Sequence, residues 1–90
     1  MSSVSPEDVR LVIADYLTEQ SNGTAQYGAE DLPDETDLLL DGHIDSLGLL
    51  NLVGFLQERF GEAIDFEEIE PDDMTIVGPI CRFVAAQATG

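Results

Sequence analysis

Apolar residues recur at Val9, Val12, Ile13, Tyr16 and Leu17, a spacing that a helix gathers on one face and a strand splits between two. The same three-and-four step returns at Leu47, Leu50, Val53, Leu56 and Phe60, and again at Val77, Ile80, Cys81, Val84 and Ala88. No run alternates polar and apolar residues long enough for a strand, and no internal repeat is visible. The chain is therefore expected to be all-α. A chain of 90 residues buries roughly 60–65% of its unfolded surface. That leaves room for one modest core in a single domain over 1–90, and suits a binding or carrier module better than an enzyme with a deep cleft.

Local signals place the elements. Ser5 suits an N-cap and Pro6 the first helical position, with Glu7 and Asp8 where carboxylates favour the dipole. This helix should end near Gln20, before Ser21-Asn22-Gly23. A long loop rich in Gly, Asp and Glu then runs to Asp45, and connections of that length are usually functional or pinned. Leu38-Leu39-Leu40 is expected to pin it by folding back over the helices, leaving Asp34, Glu35, Asp37 and Asp41 in water.

The second helix should begin at Asp45-Ser46 and stop at Gly61, with Arg59 at its negative end. Leu47, Leu50, Val53, Leu56 and Phe60 form its expected core stripe. Leu49, Leu52 and Phe55 fall off that stripe, so the helix is either packed on several sides or keeps an apolar outer face. Asp65-x-x-Glu68 has capping-box spacing, with Asp in place of Ser or Thr, and predicts a one- or two-turn helix ending before Pro71. In the last helix Pro79 must lie in the first turn, and either Thr75 or Gly78 is the N-cap.

Charge narrows the partners. Nineteen carboxylates face three cations, Arg10, Arg59 and Arg82, for a net charge of −16. Such a chain repels phosphate backbones and anionic lipid heads, which argues against nucleic acid and against membrane insertion. Besides keeping the chain soluble, the charge favours proteins with basic patches, in a salt-dependent way. A single cysteine excludes an internal disulfide and fits a reducing compartment. Its setting, Ile80-Cys81-x-Phe83-Val84, reads as core. The opening residues lack the basic start and apolar run of a signal peptide, and no stretch approaches spanning length, so a cytoplasmic protein is expected.

Most candidate chemistry fails on spacing. A calcium loop started at Asp37 would have Leu39 third and Gly48 twelfth, where oxygen ligands are needed. One His and one Cys cannot build a zinc site. His43, Asp45 and Ser46, crowded at one loop–helix junction, rarely converge as a triad and have no oxyanion hole beside them. His43 reads instead as an exposed loop residue. Asp45-Ser46-Leu47 remains. A hydroxyl at a helix start lies near free N–H groups and the positive dipole end, a natural place for a phosphodiester. Equally, Asp45 or Ser46 is simply an N-cap, and D-S-L by itself arises by chance.

In context the stretch Gly42-His43-Ile44-Asp45-Ser46-Leu47-Gly48-Leu49-Leu50, followed by an apolar helix ending Glu58-Arg59-Phe60-Gly61, resembles the attachment region of acyl carrier proteins. The resemblance extends over the whole chain, from the opening amphipathic helix through the long loop to a short third helix and a closing fourth. It implies a monomeric four-helix bundle of three longer helices and one short one. Ser46 would bear 4′-phosphopantetheine, moved from coenzyme A by a phosphopantetheinyl transferase with magnesium's help.

The resemblance further implies an acyl or aminoacyl thioester, loaded by an activating ligase and passed to a transferase or synthase with a basic docking patch. It assigns partner recognition to Asp45, Leu47, Leu49, Leu52, Phe55 and Glu58, and neither catalytic residues nor a metal to the chain itself. Gly42-His43-Ile44 replaces the Leu-Gly-x that usually precedes Asp-Ser-Leu in fatty-acid carriers, and Asn51 and Gln57 stand where acids are common. The glycine offset looks more like D-alanyl and other stand-alone carriers, and the missing acids point away from fatty-acid synthesis. The alternative is an unmodified acidic adaptor that keeps the carrier fold.

Overall fold

A computed structural model describes residues 4–21, 26–61 and 64–89. Three α-helices carry the fold: α1 (Pro6–Gln20), α2 (Ser46–Phe60) and α3 (Val77–Thr89). Among the described residues there is no strand, only an isolated antiparallel bridge between Asp37 and Ile76. The radius of gyration is 12.1 Å, close to the value of about 12 Å expected for a packed chain of this length.

α1 follows its sequence closely. Ser5 accepts from the Asp8 N–H at 3.2 Å and Asp8 accepts from the Ser5 N–H at 3.1 Å, a reciprocal cap with Asp in the third helical position. Val9, Val12, Ile13, Tyr16 and Leu17 are all buried, and the stripe packs chiefly on α3. There Val77, Ile80, Cys81 and Val84 complete the other side. Asn22 and Gly23, at the expected exit from the first helix, lie outside the described residues.

The long loop is held by its backbone more than by its leucines. Of Leu38-Leu39-Leu40, Leu38 alone is fully buried, and Leu40 is 85% exposed. The reason is that residues 37–43 make a single helical turn capped at both ends. The Asp37 carboxylate accepts from the N–H groups of Leu39 and Leu40, both at 3.0 Å. At the other end His43 N–H donates to the Leu38 carbonyl and Gly42 N–H to that of Leu39, the Schellman pattern, with Gly42 at φ +79°. A turn this tight points consecutive leucines in different directions. Asp37 is accordingly not left to water: Thr75 also donates to it at 3.0 Å.

The loop also supplies the cap of α3, which neither Thr75 nor Gly78 does. Val77 N–H donates to the Thr36 carbonyl and Gly78 N–H to that of Asp34, each at 2.9 Å, while Leu38 N–H donates back to Thr75 at 2.8 Å. Main-chain carbonyls 40-odd residues away thus satisfy the helix's orphan donors. Gly78 is needed for the approach, since a Cβ there would stand 2.8 Å from the Asp34 Cβ and 3.0 Å from its carbonyl oxygen. Above this junction Asp34 pairs with Arg10 from α1 and with Arg82 from α3, the latter at 3.4 Å.

Two further sequence expectations need correcting. The segment at Asp65 forms a single 3₁₀ turn, Phe66–Glu68, followed by another at Pro71–Asp73. Asp65 caps the Glu67 N–H at 2.9 Å rather than entering a capping box with Glu68. Burial of Ile64, Phe66 and Ile69 at close intervals, with the Phe66 ring 5.6 Å from Phe83, holds the chain to this path and leaves no helical stripe. The second correction is the rotation of α2. Leu52 (1% exposed) and Leu56 are its fully buried residues, whereas Leu47 (66%) and Leu50 (65%), expected in the core, face outward. With apolar residues on most of its circumference, the face that turns inward is decided by α1, which offers Tyr16 5.3 Å from Phe55 and its hydroxyl to the Gly48 carbonyl at 3.2 Å.

Candidate functional site

The start of α2 is where the sequence expectations converge, and its geometry separates two residues that sequence alone left interchangeable. Asp45, in extended conformation at the N-cap, accepts the Gly48 N–H at 2.7 Å, and its carbonyl accepts from Leu49 at 2.9 Å. The carboxylate at a helix start also complements the dipole. Asp45 therefore does the capping. Ser46 is the first helical residue, is exposed, and its hydroxyl has no capping role. It stands at the positive end of a 15-residue helix.

The approach to Ser46 is shaped by the capped turn before it. Gly42 and His43 end that turn, Ile44 half-buries its side chain against the core, and Asp45 begins the next element. Gln20 from the end of α1 and Gly48 from the first turn of α2 join them around an open hollow of about 480 Å³. Gly48 is tightly seated, since a Cβ there would lie 3.1 Å from that of Ile44 and 3.2 Å from the Asp45 carboxylate. Tyr16 ties the first turn of α2 to α1, and its phenol pKa is raised, first by burial and then by the charge of Asp45.

His43 is a correction. It is half-buried rather than an exposed loop residue, with Nδ1 3.2 Å from the Tyr27 hydroxyl and the two rings edge-on at 5.5 Å between centroids. Tyr27 is itself anchored by its N–H to Thr18 Oγ1 at 2.9 Å. Position 43 is thus braced from α1. Sequence inspection assigned Tyr27 no role and tied neither Tyr16 nor Gln20 to the start of α2, because the residues they meet there lie far along the chain and no local spacing links them.

The residues expected to meet partners do not share one surface. Asp45, Leu47 and Glu58 are exposed, and Leu49 and Phe55 are half-buried, Phe55 under both Tyr16 and the Arg59 guanidinium 5.9 Å from its ring. Leu52 is in the core and cannot touch a partner. Leu50 takes its place outside: it lies one turn from Ser46 and next to Leu47 on the helix surface. Gln57, at a position where an acid was the comparison, donates its amide to the Ile64 carbonyl at 2.9 Å, which a carboxylate could not do.

Other chemistry finds no support elsewhere in the described residues. Cys81 is fully buried, and burial pushes its thiol up to about 11, against the opposing effect of Arg10. A thiol so rarely ionised is a poor nucleophile. Among the described residues no group of three or more His, Cys, Asp or Glu side chains is arranged to hold a metal ion, and no helix is long and apolar enough to cross a membrane. Comparison of the chain with protein-family models, with curated proteins and with solved structures finds no match.

Proposed function

We propose that this chain is a carrier protein, modified on Ser46 with 4′-phosphopantetheine and presenting an acyl or aminoacyl group to partner enzymes. The observation that carries the reading is the division of labour at the start of α2. Asp45 takes the capping bond, so the exposed Ser46 hydroxyl has no structural duty and is free for an enzyme to modify. In the four-helix bundle this reading entails, the 3₁₀ turns at Phe66–Glu68 and Pro71–Asp73 stand in for the short third helix.

The residues present fit the group. Attachment would form a bond from Ser46 Oγ to phosphorus, break the phosphoanhydride bond to the rest of coenzyme A, and pass the serine proton to a base of the transferase. The resulting phosphodiester anion would sit at the positive end of α2, where the N–H groups of Ser46 and Leu47 are not used by Asp45. When bound, the group supplies a thiol that holds the cargo as a thioester, so nucleophile and leaving group belong to the arm. Asp45 fixes the helix start, Gly48 lets Ile44 and the Asp45 carboxylate pack closely against it, and Leu47 and Leu50 give partners an apolar contact beside the serine. The net charge of −16 would draw in a transferase, an activating ligase and a downstream synthase through basic patches.

Intact mass after incubation with a broad-specificity phosphopantetheinyl transferase, coenzyme A and magnesium tests this. The wild type should gain one arm and Ser46→Ala none. A wild type that stays at its original mass would sink the reading and favour the unmodified acidic adaptor.

A further inference from the structure

The hollow at the start of α2, which Ser46 adjoins in sequence without lining it, suits one kind of occupant. Around it stand an amide (Gln20), an imidazole (His43), one aliphatic side chain (Ile44), a carboxylate (Asp45) and two glycines. An extended hydrocarbon chain would find one apolar wall, and an anionic ligand would meet Asp45 in a molecule of net charge −16. A neutral chain of amides joined by short aliphatic links meets complementary groups at each step. His43 is ready for such a ligand. Tyr27 occupies Nδ1 and packs edge-on against the ring, so the imidazole is fixed in orientation and Nε2 is the nitrogen left for a ligand.

We infer that this hollow lodges the amide-bearing part of the phosphopantetheine arm, with His43 and Gln20 hydrogen-bonding its amides and Ile44 against its aliphatic links. The inference rests on modification at Ser46 and adds where the arm lies: on the α1 side of α2, held by the loop, rather than free in solvent. His43 and Gln20 are positioning residues for the arm. A docked arm is partly ordered before any partner arrives, which lowers the entropy lost on delivery.

The test uses the full chain, isotopically labelled, before and after transfer of the arm from coenzyme A, with intact mass recorded on the same sample. Expected are NOEs from the arm to the Ile44 methyls and the His43 ring, with amide shifts at Gln20 and Tyr27, which are too far along the chain to report on Ser46 alone. In the fraction of His43→Ala and, separately, of the exposed Gln20→Ala that intact mass shows to carry the arm, the arm's NOEs to the Ile44 methyls should be lost and alkylation of the arm's thiol should become faster. If the arm is added and the NOEs are absent, with arm resonances as narrow as those of a free chain, the docking inference fails and the carrier reading survives. If no mass is gained, both fall.

Discussion

α2 and α3 are both apolar helices, yet they begin in opposite ways. The first turn of α3 is sewn into the long loop: carbonyls of Thr36 and Asp34 take its N–H groups, and Gly78 is pressed against the Asp34 backbone. That of α2 is capped by the adjacent Asp45 and opens to solvent, with Ser46, Leu47 and Leu50 outside. A helix start satisfied from afar is occupied and can hold nothing else, whereas one satisfied by its own neighbour leaves its first residue available. This contrast leaves Ser46 exposed and outside the capping bonds, which is what the proposed modification requires.

The largest effect that tests the contrast concerns the two faces of α2. Leu52→Ala should cost about 2–5 kcal/mol by leaving a cavity in the core, and Leu50→Ala should change stability by no more than about 0.5 kcal/mol. Urea denaturation of both variants decides this, and similar losses would mean that the helix is turned differently. Next come two glycines given the same methyl group. Gly78→Ala should destabilise by about 1–3 kcal/mol because the new Cβ meets the Asp34 backbone. Gly54→Ala, with nothing within 4 Å of the added atom, should stabilise α2 by up to about 1 kcal/mol through helix propensity. Opposite shifts in Tm are expected, and shifts of one sign would break the comparison.

Removing the local cap by Asp45→Ala should lose about 1 kcal/mol, with Asp45→Ser restoring most of it in the same melt. The smallest expected effect is in acid. Asp37, which holds the capped turn, has its pKa lowered below the ordinary 3.8 by the N–H of Leu40 and, secondarily, by Thr75 and Leu39. A carboxylate with a depressed folded value contributes fully above its unfolded value and loses that contribution as pH falls through the folded one. The stability gap between wild type and Asp37→Asn should therefore be constant above about pH 5 and close below about pH 4. A gap that stays constant as the pH is taken from about 5 down to about 2 would show that the charge of Asp37 does not hold the turn.

Much of this was legible in the residues before any coordinates. The bounds of α1, the Ser5 cap with Pro6, the start of α2 at Asp45-Ser46, its stop at Gly61 with φ +143°, and the burial of Cys81 all follow from signals within one or two helical turns. Such signals are local because caps, dipoles and amphipathic stripes act between residues three or four apart. α1 was less ambiguous because, Leu11 apart, its large apolar residues gather on one face.

What only the tertiary structure decided depended on partners far along the chain. An amphipathic pattern cannot orient α2, where Leu50 and Leu52 are equally apolar, and the inward face was chosen by contact with Tyr16. The cap of α3 came from Asp34 and Thr36, the bracing of His43 from Tyr27, and the shortening of the Asp65 segment to a 3₁₀ turn from Phe83. The sequence by itself determined that a serine begins an apolar helix. The structure around it decided that this serine is exposed and outside the cap, because the capping bond to the Gly48 N–H comes from Asp45.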